Sequence, residues 1–371
     1  MIHKTDDVKY ILSHPDWLRL IAPILLITVS SCRELYNPDE ILSSERIPVI
    51  QGLIRDSDEP VVNLTWALGY GDKVAEAIGN ANVTISDDAG NSFDLQETEA
   101  GTYTVEEGTF TGVTGRSYTL SVELDDGNQY VSHAVPMLEN SFSDSIYAEP
   151  GPKDLISYGA NNQPVIETQE GLEIYSDVYE ETESPKYYRF SAKVTQEMSY
   201  TIDLGSLSSR PVYLWRSYML GNTYAVGRTA TKGTQQVLLR QPMGFLRYYY
   251  DANLETETST APYTDAWVII LHVYAISSDV YNYYNSIAKQ LISTDQIFAP
   301  DPSQVSSNIS CLNDPTKKVI GVFEVSSSKT IYKAFSWVNQ ERYKSKDLVS
   351  FPSDIAGGSQ ETFAPNFWIF F

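Results

Sequence analysis

Between Arg46 and about Val135, apolar and polar residues alternate with a period of two, and clusters of Asp, Gly and Asn cut the alternation into short runs. Successive side chains of an extended strand point to opposite faces, so this pattern suits half-buried strands and cannot build one stripe of a helix. In A-N-V-T-I-S (Ala81 to Ser86), Val83 and Ile85 alternate with Thr84 and Ser86. Phe93 and Leu95, Tyr103 and Val105, and Tyr118, Leu120 and Val122 repeat the pattern downstream. D-D-A-G-N (Asp87 to Asn91) and D-D-G-N (Asp125 to Asn128) are hairpin signals, because Asp, Asn and Gly adopt the backbone conformations that tight turns require. Together these runs predict an immunoglobulin-like β-sandwich over residues 46–136, of about seven strands. The aspartate pairs at 87–88 and 125–126 lack EF-hand spacing and read as turn chemistry, not as a calcium site.

A passage rich in Ser, Asp, Pro and Gly follows, and residues 137–164 are predicted to be a linker. Strand patterns resume at Leu172–Val178, Lys186–Val194, Pro211–Trp215, Gln235–Arg240 and Ala266–Ala275. One helix interrupts them near 278–292: Ser277 and Ser278 can cap its start, Asp279 complements its dipole, and Val280, Tyr284, Ile287, Ala288 and Leu291 recur at helical spacing. Lys318–Val325 and Thr330–Trp337 return to strand. The fold class is therefore mainly β, the sandwich being followed over 165–371 by a larger β-rich domain with one prominent α-helix.

The beginning of the chain carries an address. Leu20 to Val29 is an apolar run followed by Ser30, Ser31 and Cys32. It is too short to cross a bilayer, which takes about 20 apolar residues. Its length suits a signal peptide, and the cysteine after small residues resembles a bacterial lipobox, where diacylglycerol is attached to sulfur before cleavage. Residues 1–31 are thus expected to be a lipoprotein signal peptide, Cys32 the lipidation site and residues 32–45 a tether. Two or more acyl chains hold a protein on a membrane firmly, where one does so marginally. Arg33 after the cysteine is compatible with transfer to the outer membrane; whether the periplasmic or the cell-surface face is occupied stays open.

Composition excludes some functions. Forty-eight acidic residues against 26 Lys and Arg give a formal charge of −22, which repels nucleic-acid phosphate. With Cys32 acylated, Cys311 has no partner and is expected to be a small buried residue. His3 and His14 fall in the signal peptide, while His133 and His272 stand alone in strand-like segments. There is no H-E-x-x-H, C-x-x-C, G-x-S-x-G or G-x-x-x-x-G-K, so no metal, cofactor or catalytic residue is expected. Two carboxylates from distant positions could still hydrolyse a glycan.

Aromatic clusters are the better functional lead. V-Y-L-W-R-S-Y-M-L (Val212 to Leu220) and F-L-R-Y-Y-Y-D (Phe245 to Asp251) set flat rings beside arginine. Exposed rings stack on sugars or anchor protein partners, and cations among them suit an anionic ligand. The candidate binding residues are Trp215, Arg216, Tyr218, Arg247 and Tyr249. The C-terminal N-F-W-I-F-F resembles the end of an outer-membrane barrel, but a lipobox argues instead for a buried final strand or a docked tail.

The stretch from A-N-V-T-I-S-D-D-A-G-N-S-F-D-L to G-R-S-Y-T-L-S-V-E-L-D-D-G-N-Q-Y resembles the opening domain of Bacteroidota lipoproteins of domain-of-unknown-function family 4249. The likeness continues in K-Y-Y-R-F (Lys186 to Phe190), H-V-Y-A-I-S-S-D-V-Y-N-Y-Y (His272 to Tyr284), V-I-G-V-F-E-V-S-S (Val319 to Ser327) and P-N-F-W (Pro365 to Trp368). Many members carry a cysteine pair before that last motif; Leu348 to Phe363 contains none. The resemblance implies an outer-membrane lipoprotein that works beside a TonB-dependent receptor, as an accessory or ligand-capture subunit for nutrient uptake. It carries over no catalytic residue and no ligand. A surface adhesion or structural lipoprotein is the alternative, with a carboxylate-dependent glycan hydrolase behind it.

Overall fold

A computed structural model describes residues 46–68, 73–140, 143–158, 161, 163–205, 208–221, 224–248, 259, 263–293, 305–338, 342–348 and 360–361. The signal peptide, the tether, Cys32, Tyr249 and the C-terminal N-F-W-I-F-F lie outside these residues. Within them the chain is mainly β, with a single α-helix.

The alternating runs of the first third form β1 (Pro48–Arg55), β2 (Val61–Trp66), β3 (Asn82–Asp87), β4 (Ser92–Glu99), β5 (Thr102–Thr104), β6 (Ser117–Glu123), β7 (Gln129–Ser132) and β8 (Val135–Pro136). The turn clusters act as turns. Asp87 Oδ1 accepts the backbone N–H groups of Ala89 and Asn91, each at 2.9 Å, and Gly90 takes the left-handed conformation (φ 87°). In the second cluster Gly127 does the same (φ 77°), while Asp126 Oδ1 accepts the N–H of Asn128 at 3.0 Å. The apolar half of each alternation is buried: Val83, Ile85, Leu120 and Val122 face one core with Ile50, Ile54, Leu64 and Phe323. Fully burying such a side chain contributes about 1.5–3 kcal/mol.

The remainder forms β9 (Ser143–Tyr158), β10 (Pro164–Glu180), β11 (Tyr187–Gly205), β12 (Ser208–Leu220), β13 (Val226–Arg228), β14 (Ala230–Lys232), β15 (Gln235–Arg247), β16 (Tyr263–Ile276), α1 (Ser278–Ser293), β17 (Ile309–Cys311), β18 (Ile320–Val338), β19 (Arg342–Leu348) and β20 (Gln360–Glu361). The expected helix is present, and Ser277 caps it: its hydroxyl oxygen accepts the N–H of Val280 at 3.4 Å, and its carbonyl accepts the N–H of Tyr281 at 3.0 Å. The expected linker is not a linker, because most of it is β9, paired with β10 from Ser143↔Tyr179 to Tyr158↔Pro164. The composition resembles a linker because β9 is an edge strand in which, among the described side chains, only Ile146 and Ala148 are buried, and edge strands tolerate prolines such as Pro150 and Pro152.

The strands lie in two sheets. The larger, mixed sheet runs β17-β7-β6-β3-β4-β5-β2-β1-β18-β16-β11-β12-β20. The smaller runs β14-β15-β10-β9. The 19-residue β18 ties the first third of the chain to the rest, in parallel register with β1 (Val49↔Ile320 to Arg55↔Ser326) and then antiparallel with β16 (Ser327↔Ala275 to Ser336↔Ala266). Gly321 makes the parallel pairing possible. Its φ is 121°, and a Cβ there would collide with the carbonyl of Ile50. Asn308 plays the part of a missing strand, donating from Nδ2 to the carbonyl of Phe323 and accepting the Phe323 N–H at Oδ1, both at 2.9 Å. Hence Ile309, Cys311, Phe323 and Val325 belong to the same core as residues 46–136, which local pattern alone could not show. Cys311 is buried and free, as expected.

The second core lies between the two sheets. Leu172, Ile174 and Val178 of β10, Met243 and Leu246 of β15, Phe190 and Val194 of β11, and Trp267, Ile269 and Leu271 of β16 fill it. On the opposite face of the larger sheet, α1 packs through Val280 and Tyr283 against Tyr274, Ile276 and Val322.

Candidate functional site

Strand geometry distributes the aromatic and arginine candidates over three surfaces. On β12, Trp215 points away from the smaller sheet, is 4% exposed, and packs with Ala266, Val268 and Ala334. Tyr213, two residues earlier, stacks on it at 6.0 Å. Arg216 and Tyr218 occupy the other face, Tyr218 against the second core and the Arg216 guanidinium 6.0 Å from its ring. Burial pushes the Tyr218 hydroxyl up to about 12 against the opposing effect of Arg216. Arg247 closes β15 and points outward, where its Nε donates to Gln169 Oε1 at 2.8 Å. The four described candidates, Trp215, Arg216, Tyr218 and Arg247, therefore do not form one site, and of these only Arg247 belongs to the surface that follows.

That surface is the outer face of the smaller sheet. The segment L-E-I-Y-S-D-V-Y (Leu172 to Tyr179) alternates strictly, with Leu172, Ile174, Ser176 and Val178 inward and Glu173, Tyr175, Asp177 and Tyr179 outward. β9 does the same with Ile146 and Ala148 against Tyr147 and Glu149, and register sets Tyr147 beside Tyr175 and Glu149 beside Glu173. The Tyr147 and Tyr175 rings lie 5.7 Å apart.

Asp177 organises the middle of this face. Its Oδ1 accepts the Arg240 backbone N–H at 2.7 Å and the Tyr147 hydroxyl at 3.3 Å, and its Oδ2 accepts the Tyr179 hydroxyl at 3.2 Å. Burial, then the negative charge of Asp177, raises both phenols above the ordinary tyrosine range. Arg240 sits where β10 and β15 slip register between Ser176 and Val178 and has a left-handed backbone (φ 53°). A non-glycine residue held there costs about 1–3 kcal/mol, and such bulges re-aim side chains, often beside functional sites. The displaced Arg240 lies 4.3 Å over the Tyr175 ring and grips Glu149 through both terminal nitrogens, Nη2 to Oε2 at 2.9 Å and Nη1 to Oε1. That grip is the first cause of the lowered Glu149 pKa. Further along, Lys153 pairs with Glu173 at 2.7 Å and lies 5.5 Å over Phe245. Four rings, three carboxylates and three cations thus share one strand face.

Local sequence pattern does not reveal this constellation, for a definable reason. Three of its ten side chains, Tyr147, Glu149 and Lys153, are carried by β9, in a passage whose composition resembles a linker, and Arg240, Phe245 and Arg247 come from the distant β15. The four from β10 are legible as the outward half of the alternation in L-E-I-Y-S-D-V-Y, which marks a strand before it marks a surface.

Two other features are better read as structure. Arg189 and Glu324 form a buried ion pair under α1, with Nη2–Oε1 at 2.8 Å and Nε–Oε2 at 3.0 Å. Tyr284 and Ser326 donate to the same carboxylate at 2.8 and 3.0 Å, and the Tyr274 ring lies 4.2 Å from the guanidinium. Every Glu324 oxygen is satisfied within the fold. A cleft of about 400 Å³ opens at the start of α1 between Pro136, Pro185, Tyr187 and Ser278, but Asp279 already occupies the positive end of the helix. Among the described residues no group of three or more His, Cys, Asp and Glu could hold a metal ion, and no helix is long and apolar enough to cross a membrane.

The family comparison covers most of the chain: residues 33–331 match a domain of unknown function, DUF4249. No curated protein and no solved structure matches it. The match spans both β-rich parts, from the residue after Cys32 into β18, and contains the motifs quoted above except P-N-F-W (Pro365 to Trp368), which lies beyond it. The chain belongs to the DUF4249 family.

Proposed function

We propose that this protein is a lipid-anchored outer-membrane accessory subunit that captures a ligand for a TonB-dependent uptake system and works by binding, not by catalysis. The observation that carries the reading is the outer face of the smaller sheet. Its tyrosines are held in place by Asp177, and a strained backbone directs Arg240 onto them. Side chains fixed before a ligand arrives lose less freedom when it binds, which favours affinity. The lipobox-like approach to Cys32 supplies the anchor, and Arg46 and β1 begin at the end of β18 opposite the free ends of the β9–β10 and β11–β12 hairpins. A tether at Arg46 would leave the smaller sheet and those hairpins accessible to a neighbour. We also read residues 46–136, with the β17 and β18 residues that share the first core, as an immunoglobulin-like module, the β-rich remainder being the ligand-handling part.

The test is affinity purification of the tagged protein from envelopes extracted with mild detergent. A TonB-dependent receptor recovered in constant ratio, and lost from a variant lacking residues 152–170, supports the reading. A monomer recovered alone, with uptake unchanged on deletion of its gene, contradicts it.

A further inference from the structure

We infer that the outer face of the smaller sheet binds an uncharged oligosaccharide. The inference rests on reading that face as the capture surface, and it adds the chemical class of the ligand.

Charge gives the first argument. The chain carries −22 overall, yet along this face Glu149 is paired with Arg240 and Glu173 with Lys153, while Asp177 holds the Tyr147 and Tyr179 hydroxyls and Arg247 holds Gln169. A site for an anion would carry surplus cations, and a site for a cation surplus carboxylates. Here two ion pairs form the middle of the face, and Asp177 and Arg247, one of each sign, are hydrogen-bonded to neutral groups, so a charged ligand gains little while an uncharged one is not repelled.

Hydrogen-bonding capacity gives the second. Arg240 and Glu149 remain about half exposed, at 54% and 47%. A carboxylate has about four acceptor positions and a guanidinium five donors, so each keeps capacity after binding the other. A donor and an acceptor fixed side by side match neighbouring hydroxyls, each of which both donates and accepts. The third argument is apolar. Tyr147, Tyr179 and Phe245 are partly exposed and stand along the same strands. The apolar C–H face of a sugar ring can stack on such rings, whereas a flat aromatic platform with polar groups at its edge offers an aliphatic ligand no enclosure. Length excludes a single sugar: Glu173 to Tyr179 spans roughly 20 Å at about 3.3 Å per residue.

The experiment is calorimetric titration of the detergent-solubilised full protein with maltohexaose, cellohexaose, xylohexaose and mannohexaose, with dextran sulfate as the charged comparator. At least one neutral hexaose should bind. Tyr147→Ala and Tyr179→Ala should each weaken it roughly tenfold, and Arg240→Ala should weaken it as well. Tyr147→Phe and Tyr179→Phe keep the ring and should bind within about threefold of the wild type. Tyr213→Ala, on the larger sheet, should change nothing. Binding of no neutral hexaose, tighter binding of dextran sulfate, or an equal loss in Tyr213→Ala overturns the inference. Hexaose binding without a co-purifying receptor would remove the receptor from the account and leave the saccharide site standing. The converse result would remove the saccharide.

Discussion

Glu324→Gln is the sharpest perturbation of the fold. Glu324 is 1% exposed and Arg189 11%, so the substitution leaves a guanidinium in the interior facing a neutral amide. Two charge-assisted contacts at 2.8 and 3.0 Å are lost or reversed, and the Tyr284 and Ser326 hydroxyls lose their anionic acceptor. Removing one member of a buried ion pair costs about 3–5 kcal/mol, most of it the burden of the charge left behind. Replacing both members by apolar residues is often neutral, so Arg189→Met with Glu324→Leu should recover most of the loss. Urea unfolding followed by tryptophan fluorescence measures both variants, with α1 tracked by circular dichroism. A Glu324→Gln protein within about 1 kcal/mol of the wild type, or a double variant no better than the single one, would refute the reasoning. The pair also has a pH signature. Burial alone would raise the Glu324 pKa, but Arg189 overcomes it and the net direction is down. The carboxylate's contribution is therefore complete above the unfolded-state value, near 4.3, and is lost as pH falls through the lower folded value.

Four further outcomes are expected. Asn308→Ala strands the N–H and C=O of Phe323 inside the first core and should cost about 2–3 kcal/mol by chemical denaturation; a loss below half of that would mean the strand-like role of Asn308 is dispensable. Gly321→Ala should destabilise by at least about 1–3 kcal/mol from backbone strain alone, with the clash at Ile50 added, and purified soluble yield should fall. Cys311 should resist a maleimide in the native state and react on unfolding, since it is buried in β17; rapid native labelling would place it at the surface. Cys32→Ala should release the protein from the membrane fraction, read by centrifugation and immunoblotting, unless the anchor lies elsewhere.

What the sequence disclosed, and what it hid, follows from the range of the forces involved. Val83 and Ile85, the D-D-G-N turn and the cap at Ser277 express local rules, and the structure places them as those rules require. β18 could be recognised as a strand from its residues. Its two successive partners could not, because register with Val49 and then with Ala275 is set by cores assembled from distant segments. β9 was hidden because an edge strand with one solvated face has the polar composition of a loop. The cluster V-Y-L-W-R-S-Y-M-L looked like one site because its rings are adjacent in sequence, yet a period of two sends Trp215 and Tyr218 to opposite faces. The tyrosine face shows the converse: Tyr147, Tyr175 and Arg240 are far apart in sequence, and sheet pairing with one bulge brings them together.

The proposed role requires that this protein act while held at a membrane. Intact mass spectrometry of the protein purified from its native envelope addresses that requirement directly. The prediction is a polypeptide that begins at Cys32 and carries the added mass of diacylglycerol and, with full processing, a further acyl chain. A protein retaining residues 1–31, or one beginning near residue 32 with no lipid mass, would contradict it.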